Sequence, residues 1–231
     1  MNIVLEGIVG STAYGLSTPD SDVDKLGIIQ LPTSHFLGLS SPSESSLSHV
    51  STEPDVTYHD IGKFCRLALS CNPTVTELLW LPDDLYTVRT ELGDLLIQTR
   101  NAALSAKRVH DAYMGYAVAQ FKRLTERGDF GSDMRKRTEK HARHLLRLMH
   151  QGYTLYTTGE LPIRLENPER YHEFGRVTAD VPSHAESTIE AYKEAFAKAD
   201  TVLPEKPNVE FYETIILNTR INYLRSGNGL E

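Results

Sequence analysis

Between residues 10 and 24 the chain reads Gly-Ser-Thr-Ala-Tyr-Gly and then, seven residues after Gly15, Asp22-Val23-Asp24; no other stretch constrains local structure so tightly. Gly10 lets the backbone turn where a side chain would block it. It also lets amide groups approach an anion closely, with the Ser11 hydroxyl as a further donor. The apolar run from Ile3 to Val9, broken by Glu6 and Gly7, leads into this tight turn and has the length of a strand or of the last turn of a helix. Asp22 and Asp24 stand at i and i+2, so in an extended segment both carboxylates leave the same face. Two carboxylates on one face repel each other unless a cation sits between them, and oxygen-only ligands select a hard ion, Mg²⁺ before Ca²⁺. Taken alone, Pro19-Asp20-Ser21-Asp22 is equally a surface turn closed by Asx hydrogen bonds.

Taken together, Gly10 to Gly15, the spacer, and Ser21-Asp22-Val23-Asp24 ahead of Leu26-Gly27-Ile28-Ile29 resemble the signature of the DNA polymerase β-like nucleotidyltransferase superfamily. The resemblance is closest to its bacterial and phage RlaP-like branch. It implies an α+β fold: a small mixed-sheet catalytic core over residues 1–90 and a helical subdomain over 91–231 that closes the cleft. It also implies a nucleotide-binding role for Gly10, Ser11 and Tyr14, and a third carboxylate on a neighbouring strand. Asp55 is chosen for that role because it opens a β-branched Val-Thr segment beside Asp22 and Asp24. Asp60 reads better as the N-cap of a helix that begins at Ile61, where apolar residues recur at helical spacing.

Three carboxylates and a phosphate-binding turn dictate a chemistry. Metal ions held by Asp22, Asp24 and Asp55, two of Mg²⁺ with Mn²⁺ able to substitute, would activate an acceptor hydroxyl and stabilise the departing pyrophosphate of a nucleoside triphosphate such as ATP. Asp55 is the general-base candidate, and Ser11 with the backbone around Gly10 would cradle the outer phosphates. No Walker-type Gly-x-x-x-x-Gly-Lys-Ser/Thr sequence is present, which sets aside a P-loop mechanism.

The formal net charge of −7 argues against a chain whose whole surface binds nucleic acid, yet Met134 to Arg147 is strongly cationic. At helical spacing Lys136, Lys140, Arg143 or His144, and Arg147 form a basic stripe, with Leu145, Leu148 and Met149 on another side. Composition alone reads that stripe as a solvated helix face. The resemblance instead matches Lys140, His144 and Arg147 to a recurring helix that stops at Thr158-Gly159-Glu160-Leu161-Pro162, where a left-handed Gly and a following Pro end it. On that basis Lys140 and Arg147 are expected to contact phosphates and the stripe Lys136 to Arg147 to meet an RNA acceptor such as a tRNA end. His144 is either a ligand contact or a packed residue.

The remainder reads as scaffold. Ser34 to Thr52 is expected to be a loop or irregular insertion, and Asn72-Pro73-Thr74 to end one helix and start another. Tyr113 and Tyr116 share a helix face, as core or as a stacking platform for a base. Ala185 to Ala199 and Asn208 to Leu224 are amphipathic helices either side of Leu203 to Pro207, and Arg225 to Glu231 is expected to fray. Two cysteines, Cys65 and Cys71, are too few for a structural zinc site, and the absence of a spanning or signal-like segment makes a cytoplasmic location, with no membrane association, the expectation. Alternative readings of the same site are nucleotidylation of a small molecule or protein hydroxyl, and a non-catalytic nucleotide-binding or antitoxin-like partner.

Overall fold

In the computed structural model, which describes residues 1–19, 21–125 and 133–227, the chain forms an α+β protein that divides into two compact units. The first unit holds Met1–Ala13, Ser17–Leu104 and Lys206–Glu231; the second holds Tyr14–Leu16 and Ser105–Glu205. In chain order the first unit supplies β1 (Asn2–Ile8), most of α1 (Gly10–Tyr14), β2 (Lys25–Gln30), β3 (Ser48–Thr52), β4 (Asp55–Asp60), α2 (Ile61–Leu69), α3 (Pro73–Thr76), β5 (Tyr86–Arg89) and α4 (Glu91–Gln98). The second supplies α5 (Ala106–Thr125), α6 (Asp133–Thr158), α7 (Pro168–Asp180) and α8 (Ser183–Lys198), after which α9 (Val209–Arg225) returns to the first.

The run Ile3 to Val9 resolves as a strand. It is buried on both faces from Val4 through Gly7, and it sits next to the centre of a five-stranded mixed sheet of order β3-β4-β2-β1-β5. Only β2 and β4 run parallel, with Lys25 opposite Val56. A parallel pair needs a long crossover, and residues 31–54 provide it. That segment is more ordered than a loop: a 3-10 turn at Thr33–Phe36 opens it, and its end, Ser48–Thr52, pairs antiparallel with β4 as an edge strand. Ser48-His49-Val50-Ser51-Thr52 carries no alternation of apolar and polar residues, so the strand is not legible locally and its main-chain bonds come from a tertiary partner.

Asp60 caps α2 as the spacing suggests, its carboxylate accepting from the Gly62 amide at 2.9 Å. Asn72 caps α3 by accepting from Thr74 N at 3.1 Å, with Pro73 in the first turn. The helix begun after Asp60 is therefore read correctly from its cap, while the one begun after Asn72, expected to run through Leu81, is α-helical only to Thr76 and continues as a 3-10 helix over Glu77–Trp80.

The domain boundary differs from the expected division at 90. The first unit extends to Leu104, and α9 belongs to it through Asn208 N donating to Ala102 O at 2.8 Å and Gln30 Nε2 donating to Thr219 O at 3.1 Å. These bonds join residues far apart in sequence, so no local pattern announces them.

In the second unit α5 and α6 pack closely: a Cβ placed on Gly152 would lie 2.5 Å from Tyr113 Cβ, and Tyr113 is fully buried. Tyr113 is thus a core residue, while Tyr116 is half-buried. Gly159, at φ 77°, ends α6 in the left-handed region as expected, its amide bonding to Leu155 O at 2.9 Å. The expected amphipathic helices near the C-terminus are α8 and α9, and α7 was not foreseen; Asn167 caps it, with Pro168 in its first turn. Of the other sequence readings, Asp20 in the turn Pro19 to Asp22 and the tail at 228–231 lie outside the described residues. Among the described residues no helix is long and apolar enough to cross a membrane.

Candidate active site

The Gly-Ser motif forms one helical turn rather than an open loop. Gly10 takes φ 69°, a left-handed value that joins β1 to α1. Space matters there as much as dihedral freedom: a Cβ on Gly10 would lie 2.2 Å from Asp24 Oδ2. The Asp24 carboxylate therefore lies directly against the start of α1, and Val9 N donates to Asp24 O at 2.9 Å to hold the two segments together.

Asp24 immediately precedes β2, and Asp55 is the first residue of β4. Because Lys25 pairs with Val56 in the parallel ladder, Asp24 and Asp55 stand one step before that pair at the same end of the sheet. Asp22 lies two residues upstream in irregular chain. Asp22 and Asp55 are exposed and Asp24 is half-buried. Register thus brings together Asp24, Asp55 and the Gly10-Ser11 turn. Among the described residues no three His, Cys, Asp or Glu side chains are gathered into a ready-made metal centre. The donor chemistry of Asp22, Asp24 and Asp55, oxygen only and anionic, is that of a hard divalent ion such as Mg²⁺.

Asp60 has a different occupation. It is wholly buried, and its carboxylate accepts from Gly62 N, from Leu31 N at 3.3 Å and from Arg220 Nη2 at 2.7 Å. That leaves Asp55 as the β4 carboxylate open to solvent.

The basic stripe breaks into two parts. Lys136 and Lys140 are exposed, Arg143 and His144 are half-buried, and Arg147 is 2 % exposed. Burial along this stripe increases from Lys136 to Arg147, so the stripe is not one continuous solvated face. Within the second unit Arg147 lies over the Tyr14 ring, its Cζ 4.0 Å from the ring centroid. Its Nη1 donates to Gln151 Oε1 at 2.6 Å, and its Nη2 donates to His144 Nε2 at 3.0 Å. The expected phosphate contacts at His144 and Arg147 therefore meet groups engaged with each other, whereas Lys140 faces solvent.

Sequence reasoning passed over Glu6, although a carboxylate interrupting an apolar strand is itself a signal. Glu6 is 5 % exposed and accepts from Tyr58 Oη, from Thr87 Oγ1 and from Lys25 Nζ at 2.9 Å. Burial alone would raise its pKa; bonds from Thr87, Tyr58 and Lys25, together with the Lys25 charge, outweigh that and hold it below the ordinary 4.5. The same neighbour and burial push the Tyr58 hydroxyl up to about 12. A carboxyl depressed in the folded state contributes stability above its unfolded pKa and loses it as pH falls through the folded value. Resistance to urea unfolding is therefore expected to decline as the pH falls below the ordinary 4.5. Glu6→Gln should flatten that acid-side slope and cost about 1–3 kcal/mol at neutral pH. An unchanged slope in the variant would remove Glu6 from the account.

A five-stranded mixed sheet that sets Asp24 and Asp55 at the head of adjacent parallel strands, beside a Gly-Ser helical turn, is consistent with the α+β core expected of a polymerase β-like nucleotidyltransferase. Residues 1–199 match the family model RlaP, described as the RNA repair pathway DNA polymerase beta family, and the chain belongs to that family. The match ends before α9, the helix that completes the first unit. No curated protein matches the chain.

Proposed function

We propose that this protein transfers a nucleoside monophosphate from a nucleoside triphosphate to a hydroxyl on RNA, releasing pyrophosphate. The observation that carries the reading is the parallel register that sets Asp24 and Asp55 at one sheet end beside Gly10 and Ser11. Asp22, Asp24 and Asp55 would hold Mg²⁺ or Mn²⁺. Bound there, the ions would supply Lewis acidity to the attacking oxygen and to the departing pyrophosphate. Ser11 Oγ and the amides of α1 would hold the outer phosphates. The acceptor oxygen attacks the α-phosphorus, its proton passes to the Asp55 carboxylate, and the bond from the α-phosphorus to the bridging oxygen breaks as pyrophosphate leaves. The family description supports RNA as the acceptor, and so do exposed Lys136 and Lys140 on α6, which suit phosphate contacts.

The test is transfer of label from each nucleoside triphosphate, labelled at the α-phosphate, to total cellular RNA with Mg²⁺ or Mn²⁺. Label is expected in RNA with the native protein and not with Asp22→Ala or Asp24→Ala. Label on an added small molecule or protein instead would overturn the acceptor and leave the reaction standing. Nucleotide binding without pyrophosphate release across all acceptors would overturn the enzymatic reading and leave a binding protein.

A further inference from the structure

We propose that Arg147 is a positioning residue for the Gly10-Ser11 turn, acting by holding Tyr14, the last residue of the five-residue helix that Gly10 opens. The inference rests on the reading of that turn as the phosphate-holding element. Tyr14 is gripped twice within the second unit. The Arg147 guanidinium lies against its ring, 4.0 Å from the centroid, and Leu165 N donates to its carbonyl at 3.3 Å. The two grips are tied to each other. Arg147 Nη1 donates to Gln151 Oε1, and Gln151 Nε2 donates to Pro162 O at 2.8 Å, three residues before Leu165.

A cation taken out of water and set on an aromatic face is held far more firmly than one at the surface. Arg147, 2 % exposed and bonded to both Gln151 and His144, would have to abandon Tyr14 to reach a phosphate. The helix it steadies is one that cannot stand alone: five residues are too few to offset the cost of nucleation, so what lies at its two ends decides its conformation. At one end Gly10 abuts Asp24, and at the other Tyr14 is clamped. Loosening Tyr14 lets α1 fray, and Ser11 loses its fixed direction.

The experiment compares the whole protein with Arg147→Met, Tyr14→Leu and the double variant, first by amide hydrogen exchange. In Arg147→Met, exchange across residues 9–16 and at Leu165 is expected to rise about tenfold through local opening, while the amides of α8 keep their native rates. Tyr14→Leu should do the same, and the double variant should be no worse than either single. If Arg147→Met loses its cooperative unfolding transition, Tyr14→Leu carries the test, because it leaves the Arg147, Gln151 and His144 bonds in place.

In the transfer assay both single variants should lose about tenfold in kcat/KM for the nucleotide through misplacement of the turn. Neither should lose further activity in a Ser11→Ala background. Native exchange at residues 9–16 in a folded Arg147→Met protein would overturn the proposal. So would a salt-dependent rise in nucleotide KM for Arg147→Met that Tyr14→Leu does not share, since that is the mark of direct anion contact. Failure of every acceptor to take label with the native protein would sink the proposed reaction alone, because the exchange measurement does not depend on turnover.

Discussion

Replacing Asp60 with Ala is expected to lower the unfolding free energy by about 3–5 kcal/mol, because it strips the partner from a buried cation. Asp60 is wholly buried, and the Arg220 side chain that pairs with it is 14 % exposed and seated on Phe36, its Cζ 3.4 Å from the ring centroid. Two further losses go with the carboxylate: the Gly62 amide loses its cap and the Leu31 amide its acceptor. Arg220→Ala should be about as costly for the converse reason, since it leaves an uncompensated carboxylate inside the protein.

The pair is also imperfect. Arg220 Nη1 is buried with no hydrogen-bond partner among the described residues, so part of the guanidinium's desolvation is not offset. Asp60→Asn with Arg220→Met, which keeps a capping oxygen and removes both charges, should therefore cost well under the sum of the single changes. Urea unfolding of the singles and the double gives the coupling energy directly. A loss below about 1 kcal/mol in either single variant would mean that the pair is worth no more than a surface bridge. The result also bears on α9: a large loss would make that helix, beyond the family match, part of the fold of the first unit.

Gly10→Ala is expected to cut the proposed nucleotidyl transfer by about a hundredfold, the scale on which a displacement near 1 Å acts at a reacting centre. Strain contributes first: φ 69° penalises any side chain by roughly 1–2 kcal/mol. Collision contributes more to activity. The new methyl would sit 2.2 Å from Asp24 Oδ2 and 3.1 Å from its Cγ, so the carboxylate must swing away from the start of α1.

Gly15→Ala separates the two effects. Gly15 has φ 74°, but the nearest atom to a Cβ there is Pro168 Cγ at 3.8 Å, so it carries the strain without the collision. Unfolding should show similar stability losses for both variants, with the large loss of transfer confined to Gly10→Ala. Equal activity in the two would mean that the Asp24 position is not what Gly10 protects.

Much of the candidate site is legible in the sequence because its parts are local. Gly10-Ser11 and Asp22-Val23-Asp24 lie within one stretch, and glycine, hydroxyl and carboxylate each carry their chemistry with them. The caps at Asp60 and Asn72 and the left-handed stop at Gly159 are likewise set by interactions spanning a few residues. Arg147 shows where such reading ends: its spacing with Lys140 marks a basic face, and nothing in that spacing says that Tyr14 will cover it. Glu6 escaped for a related reason, since its three donors come from strands that β1 meets only in the folded sheet.

From its sequence alone the chain declares a tight Gly-Ser turn, a carboxylate pair that resembles that of nucleotidyltransferases, and most of its helices, because turns, caps and helices depend on dihedral preference, capping and side-chain period over short distances, while the run Ile3 to Val9 stays open between a strand and a helix end. Only the tertiary structure decides that Asp55 comes level with Asp24 across the 31–54 crossover, and that α9 joins the first unit by pairing Arg220 with Asp60 from 160 residues away. Those choices belong to pairing register and burial, which arise between segments and leave no periodic mark within either.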